Sequence, residues 1–279
     1  EEAKSEAIEN ILEAAQYKEG NCKKIIVTGC LAERYRDEVL NELPEVDAIV
    51  GVNSYFKIVQ AIEGERRIID PPEKNCPEGF ERVRATPPYT AYLKIAEGCD
   101  KHCTYCIIPK VRGNFRSVPM EQLVAQAEML AQQGIKELIL VAQETTLYGV
   151  DLYGSKKLPE LMKKLCEIEG IAWIRLLYCY PEEITDELID TMKTEQKILP
   201  YIDMPIQHAS DPILKRMGRR TSEKQIRGIV SKLRQEIPEI CIRTTLITGF
   251  PGETQEDYET LYRFVNELEF DRLGVFTYS

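Results

Sequence analysis

"GCDKHCTYC", Gly98 to Cys106, places Cys99, Cys103 and Cys106 at C-x₃-C-x₂-C spacing inside one short segment. A structural zinc site closes its tetrahedron with four protein ligands. Only two histidines are present, His102 and His208, and His102 would have to share a very tight loop with the cysteines. A cube of four irons and four sulfides has four corners, so three thiolates leave one iron open. Catalytic zinc likewise keeps one position free for its substrate. The favoured reading is an iron–sulfur cluster with one open iron, and zinc or incidental thiols are the alternatives.

Working outward from the cysteines, "AYLKIAEG" before them reads as a strand, and "VPMEQLVAQAEMLAQQG" after them as a helix opened by Pro and closed by Gly. The alternation then continues: "KELILVAQ", "LPELMKKLCEIEG", "IAWIRLLYCY", "TDELIDTMKTE", "YIDMPIQ", then "DPILKRMG" with "SEKQIRGIVSKLRQEI". "CIRTTLITGF", "TQEDYETLYRFVNELE" and "RLGVFTYS" complete it. Six strands with helices between them predict a parallel sheet with right-handed crossovers, that is, a partial (β/α)6 barrel. Chemistry in such folds gathers where the strands' C-terminal ends and their loops converge. The three cysteines follow the first strand there, and Gln143 with Glu144 follows the second. Tyr178 and Tyr180 end the third, Gln207 and His208 the fourth, and Gly249 to Glu253 the fifth.

Upstream, "AIENILEAA", "KKIIVTGC", "AERYRDEVLNEL", "DAIVG" and "YFKIVQAIEG" read as helix, strand, helix, strand, helix. Residues 1–63 are therefore expected to be part of a small parallel α/β domain. Residues 64–90, with "DPPEKNCPEGF" and "ATPPY", read as a linker, and 91–279 as the barrel domain. The N-terminal "EEAKSEAIENILEAA" lacks the pattern of a secretory signal and begins inside a helix, so further sequence is expected before it.

Across 279 residues, 46 acidic and 36 basic side chains leave a net charge of −10. Gripping nucleic-acid phosphates calls for basic surface, whereas an acidic protein suits a basic protein partner. Plain solubility explains the charge equally well. No apolar run approaches the roughly 18 residues of a membrane span. The nine cysteines, an odd number without a secretory signal, argue against a disulfide framework and for cytoplasmic thiols or metal ligands.

"EGCDKHCTYCIIPKVRG" resembles the methylthiotransferases of the radical S-adenosylmethionine (SAM) superfamily, in the cysteine spacing, in Ile108-Pro109 and in Arg112-Gly113. The resemblance implies a radical-SAM barrel whose 4Fe–4S cluster, held by Cys99, Cys103 and Cys106, binds S-adenosylmethionine at its open iron. One electron, from a donor such as flavodoxin or ferredoxin, then cleaves the cofactor to an adenosyl radical. It further implies a second 4Fe–4S cluster in the upstream domain, where Cys30 in "VTGCLAERY" matches the third of three ligands. The other two would precede Glu1, and a TRAM-like β-barrel would follow the C-terminus, so a longer polypeptide is expected. "LLYCYPEEITDELIDTM", "KILPYIDMPIQHASDPILKRMGRRTS" and "IRTTLITGFPGET" resemble the branch that methylthiolates an aspartate β-carbon of ribosomal protein uS12. In the tRNA-adenosine branch, the alternative, Tyr178–Pro181 and Gln207–Ser210 usually read differently. The implied partner is uS12 in or near the small ribosomal subunit, with neither membrane nor DNA involved.

The same resemblance assigns Glu144 to the cofactor's amino group, with Gln143 beside it where the superfamily often has glycine. Gln207 would meet the ribose or methionine portion, Arg243 the carboxylate, and Gly249 in "TGFPGET" the adenine. Each has a plainer alternative: a loop carboxylate for Glu144, an ion pair in the barrel mouth for Arg243, and a capped strand-to-helix turn around Gly249. Tyr178, Tyr180 and His208 are candidates for the substrate pocket or for packing. Cys22, Cys76, Cys166, Cys179 and Cys241 read as ordinary thiols.

Overall fold

The computed structural model describes residues 2–71 and 87–279; Cys76 and most of the expected linker lie outside the described residues. These residues form two compact units, one of residues 2–71 with 107–114 and the other of 87–106 with 115–278.

In the first unit, β1 (Ile26–Thr28), β2 (Ala48–Val50) and β3 (Arg67–Ile68) make a parallel sheet in that order. Around it stand α1 (Glu2–Ala15), α2 (Cys30–Tyr35), α3 (Asp37–Glu42), α4 (Ile58–Glu63) and α5 (Ile108–Arg112). Ala32, Ile49 and Val50 are fully buried. "AERYRDEVLNEL" becomes two helices, because Arg36 between them adopts φ 44° and folds its guanidinium back onto Glu33. β3 falls inside the expected linker, pairing with Ile49 and Val50. Two residues are too short a run for alternation to reveal.

In the second unit β4 (Thr90–Lys94) runs into β5 (Ala96–Glu97), which pairs antiparallel with β6 (Arg116–Ser117) and so brackets the cysteine segment. Next come α6 (Met120–Gln132), β7 (Glu137–Val141), α7 (Val150–Tyr153), α8 (Leu158–Cys166), β8 (Trp173–Leu176) and α9 (Asp186–Thr194). Then follow β9 (Ile198–Asp203), α10 (Asp211–Arg216), α11 (Glu223–Glu236), β10 (Cys241–Thr248), α12 (Gln255–Leu268) and β11 (Arg272–Thr277). The parallel sheet has the order β11-β10-β9-β8-β7-β4, the open six-stranded barrel the alternation predicts. The helix starts obey the capping signals: Thr185, Ser222 and Thr254 each accept a backbone N–H from the first turn that follows.

The sheet's two faces differ chemically. Leu93, Leu138, Leu140, Ile174, Leu176, Ile202 and Ile242 point to the helix layer and are at most 1% exposed. Each such side chain contributes roughly 1.5–3 kcal/mol on burial. The positions one out of phase face the other way and include several charged side chains. There Arg175 pairs with Glu137 at 2.7 Å and stacks over Tyr201 at 4.8 Å, while Arg243 pairs with Asp203 at 3.2 Å. The core carries the fold and leaves the concave face available for chemistry.

Candidate active site

The cysteine loop has little regular structure of its own, so distant backbone and side-chain groups fix it. Gly98 N–H donates to Gln143 Oε1 at 2.8 Å, and Asp100 Oδ1 accepts the Phe115 N–H at 3.2 Å. Thr104 N–H donates to Met217 O at 3.0 Å and its hydroxyl to Arg216 O at 2.9 Å, tying the loop to the end of α10. Gly218, at φ 72°, passes so close that a Cβ there would lie 3.4 Å from His102 O. Tyr105 meets Phe250 edge-on, with centroids 6.4 Å apart, and packs with Ile213 and Met217.

Lys101 projects from the same loop into a buried ionic cluster. Its ammonium contacts Glu182 Oε1 at 3.3 Å and bonds Glu183, which also pairs with Lys156 at 2.7 Å. Burial alone lowers the Lys101 pKa, but Glu183, Glu182 and Glu144 outweigh it and hold the lysine charged.

Cys99 and Cys103 are buried and Cys106 is half-buried. Burial, reinforced by the negative charge of Glu144, pushes the Cys99 thiol up to about 11. Loading such a thiol with metal therefore releases a proton. Among the described residues, no group of three His, Cys, Asp or Glu side chains forms a site for a single metal ion. One zinc ion would need convergence on a point; a cube takes each thiolate on a separate iron.

Glu144, in the loop that follows β7, is fully buried. Its Oε1 accepts the Thr146 N–H at 2.9 Å and the Thr146 hydroxyl, while Oε2 has no partner. Burial raises this carboxyl from 4.5 to about 7, against the opposing pull of Thr146 and Lys101. An orphaned carboxylate oxygen in a buried site is a receptor for a cation.

The other predicted residues take varied positions. Gln143 is occupied in holding Gly98. Gln207 pairs through its backbone with Thr245 and Ile247 and adopts φ 70°. Tyr178 adopts φ 57° and His102 φ 54°, so three of five left-handed non-glycine residues among those described lie in the loops of this mouth. Such backbone costs about 1–3 kcal/mol each and clusters at functional sites. Gly249, at φ 73°, has open space where a Cβ would stand. Arg243 is paired with buried Asp203, which also accepts the Tyr178 N–H at 3.1 Å. His208 Nδ1 accepts the Ser210 N–H at 2.9 Å, which leaves the ring proton on Nε2, 3.7 Å from Glu253. Burial lowers the His208 pKa, with Glu253 working the other way. Cys179 is fully buried beside Thr145.

Two participants carry no motif of their own in the sequence: Lys101 and Asp203. Lys101 stands within the cysteine stretch, but nothing local identifies Glu182 and Glu183 as its partners. Cys30 belongs to the first unit, where it is exposed at the start of α2 and lies 3.8 Å from the Arg112 guanidinium of α5.

Comparison with known proteins fits this geometry. Residues 93–265 match the model of the radical SAM superfamily, and residues 1–51 that of the uncharacterized protein family UPF0004. The chain is 60% identical to a ribosomal protein uS12 methylthiotransferase RimO of Lachnoclostridium phytofermentans, and 53% identical to proteins of that name from Acetivibrio thermocellus and Geobacter sulfurreducens. In each case all of this chain aligns and covers 64% of the relative's length. Among solved structures, the cobalamin-dependent S-adenosylmethionine radical enzyme OxsB aligns with 91% of this chain and 40% of its own. Its TM-score is 0.62 at 15% identity. The radical S-adenosylmethionine methyltransferase TsrM of Kitasatospora setae aligns with 70% of this chain and 39% of its own, at a TM-score of 0.57 and 17% identity. At these identities the solved structures speak for the fold. The superfamily match spans most of the chain and every residue of the cysteine loop, and the chain belongs to the radical SAM superfamily.

Proposed function

We propose that this chain is the cofactor-binding and radical-generating part of a methylthiotransferase that acts on an aspartate of ribosomal protein uS12. The observation that carries the reading is the assembly of three buried or half-buried thiols with the unpaired, buried Oε2 of Glu144 in one barrel mouth. The substrate comes from the uS12 methylthiotransferase relatives, which align along the whole chain.

The donor set suits the group. Cys99, Cys103 and Cys106 would hold a 4Fe–4S cluster with one iron left for S-adenosylmethionine, and Glu144 would offer a carboxylate oxygen to the cofactor's ammonium. When bound, cluster and cofactor together supply a carbon radical that removes a hydrogen atom from the substrate. The protein's part is positional. Gln143, Met217 and Arg216 fix the loop that carries the thiols, and Lys101 anchors it to Glu182 and Glu183. Gln207 and Gly249 border the mouth where the remaining cofactor groups would lie, and Tyr178 stands exposed at its rim. Arg243 meets the cofactor carboxylate only by giving up Asp203; as found, it orders the concave face. Cys30 suits one ligand of a second cluster. Residues 1–63 would then belong to the N-terminal methylthiotransferase domain and 91–279 to the radical-SAM core. An electron donor of flavodoxin or ferredoxin type and the small ribosomal subunit are the partners this reading requires. No helix among the described residues is long and apolar enough to cross a membrane.

The test is anaerobic incubation of the iron-loaded, full-length enzyme with uS12 and, separately, with tRNA, followed by mass measurement of each. Gain of the methylthio mass by uS12 is expected, and gain by tRNA alone would overturn the substrate assignment. Cys103→Ala should abolish cofactor cleavage, whereas Cys30→Ala should retain cleavage and lose sulfur insertion. Cleavage that survives Cys103→Ala would refute the ligand assignment.

A further inference from the structure

Arg219, at the turn between α10 and α11, is 6% exposed although it carries a permanent charge. An arginine so buried is normally paired with a carboxylate. Of the nearby carboxylates, Glu183 is held by Lys101 and Lys156 and Glu182 Oε1 by Lys101, while Glu182 Oε2 is buried without a partner; among the described residues neither forms an ion pair with Arg219. Its Nη2 donates to the Pro205 carbonyl at 2.8 Å, and its guanidinium lies 4.1 Å from the centroid of the Tyr180 ring. Its Nε–H is buried without a partner. The Tyr180 hydroxyl is 3.5 Å from Cys103 Sγ, and Lys101 Nζ lies 4.8 Å from the centroid of the same ring. Met217 and Gly218, immediately before Arg219, are the residues that hold the cysteine loop at Thr104 and Cys103. The turn that fixes the loop thus also delivers a buried cation to the ring whose hydroxyl reaches Cys103.

A buried cation with an unused donor is costly unless something negative completes it. Tyr180 offers Arg219 the face of its ring, and its hydroxyl points to Cys103. Thiolates and the sulfides they hold are the negative groups the site is built to contain. We propose that Arg219 is a positioning residue for the cluster held by Cys99, Cys103 and Cys106: its fixed positive charge, seated on Tyr180, favours the cluster's one-electron-reduced state. Reduction adds one electron and no proton, so the cluster gains one negative charge, and a nearby fixed cation stabilises the product more than the reactant. The electron comes from a low-potential one-electron donor. The inference rests on the radical-SAM reading and extends it to a residue outside the cysteine and cofactor motifs.

At an effective dielectric of about 20, a unit charge within about 10 Å of a redox group changes its one-electron equilibrium by about tenfold. The experiment is redox titration of the full-length, iron-loaded protein, following by electron paramagnetic resonance the reduced cluster whose spectrum changes on adding S-adenosylmethionine. Arg219→Gln should lower the reduced-to-oxidised ratio at fixed potential about tenfold, equivalent to about −59 mV, with iron and sulfide content unchanged. Arg219→Lys, which keeps the charge, should stay within about twofold of the parent. A Gln variant with full iron and the parental ratio would overturn the inference, as would a Lys variant shifted as far as Gln. Should Gln fail to hold iron, Arg219→Met, which keeps the side chain's length without its charge, takes its place: a tenfold loss supports the charge role and a parental ratio refutes it. A parent protein that binds no such cluster would sink the radical-SAM assignment itself, a separate and distinguishable result.

Discussion

Glu144→Gln offers the sharpest check on the site, because burial of this carboxyl has a sign that plain packing cannot imitate. Its pKa rises from 4.5 to about 7 on folding, chiefly through burial. Below 4.5 both folded and unfolded chains carry the proton, and ionisation costs nothing. Between 4.5 and about 7 the unfolded chain has lost a proton that the folded chain keeps, so stability declines as pH rises. Above about 7 the full cost is present. At about 1.4 kcal/mol per pKa unit it amounts to about 3 kcal/mol. Glutamine has nearly the same shape, keeps an acceptor for the Thr146 N–H and hydroxyl, and does not ionise. In cluster-free protein the variant should therefore gain stability over the parent as pH rises, the difference growing by about 2.5 kcal/mol between pH 5 and pH 8. Urea unfolding at several pH values measures this, and Trp173, the one tryptophan of the chain, reports on the barrel from β8. The same substitution in the loaded enzyme should weaken S-adenosylmethionine binding, since the ammonium loses its carboxylate. A stability difference that does not change with pH would refute the burial argument. Cofactor binding that survives the substitution would remove Glu144 from the site.

Other consequences are simpler to measure. Gly149 sits at φ 90° with Lys157 Cβ 2.6 Å from where its own Cβ would be, so Gly149→Ala should destabilise the barrel by about 1–3 kcal/mol in thermal melts. Thr254→Ala removes the acceptor for the Asp257 N–H and should cost about 1 kcal/mol in urea unfolding; an unchanged midpoint would show that the cap contributes nothing. Leu140→Ala opens a cavity in the middle of the sheet and should cost about 2–5 kcal/mol in the same assay, far more than any surface change nearby.

The sheet was legible because its signal is periodic and local. "CIRTTLITGF", for example, is bounded by helices whose caps, Ser222 and Thr254, behave as their residue types require. Errors appear where a tertiary contact overrides the pattern. One left-handed residue, Arg36, splits a helix that periodicity alone would run through, and β3 is too short to show a period. The thiols were legible because C-x₃-C-x₂-C lies within one segment. Their supports were not, since Glu183, Met217 and Arg219 lie far from the cysteines in sequence and differ in residue type. For Arg243 residue type alone leaves open a cofactor carboxylate or an ion pair in the barrel mouth; Asp203, its partner in the structure, is a carboxylate on the neighbouring strand, and only strand register brings the two together.

That division reflects what a buried anionic site demands. Removing an ion from water costs several kcal/mol unless opposite charge and hydrogen bonds replace the solvent. Three thiolates in largely buried positions therefore require cations that are themselves buried and held in place, which mobile surface lysines cannot supply. Lys101 and Arg219 meet the condition in complementary ways. Lys101 is secured by two carboxylates and so contributes little net charge of its own, chiefly fixing the loop. Arg219 is secured by a carbonyl and an aromatic face rather than by an ion pair, and so keeps more of its charge beside the Tyr180 ring. The two side chains approach the same Tyr180 ring, whose hydroxyl reaches Cys103. Loop geometry and local charge are thereby set through one aromatic residue, and Tyr180 is the point at which a single substitution would disturb both.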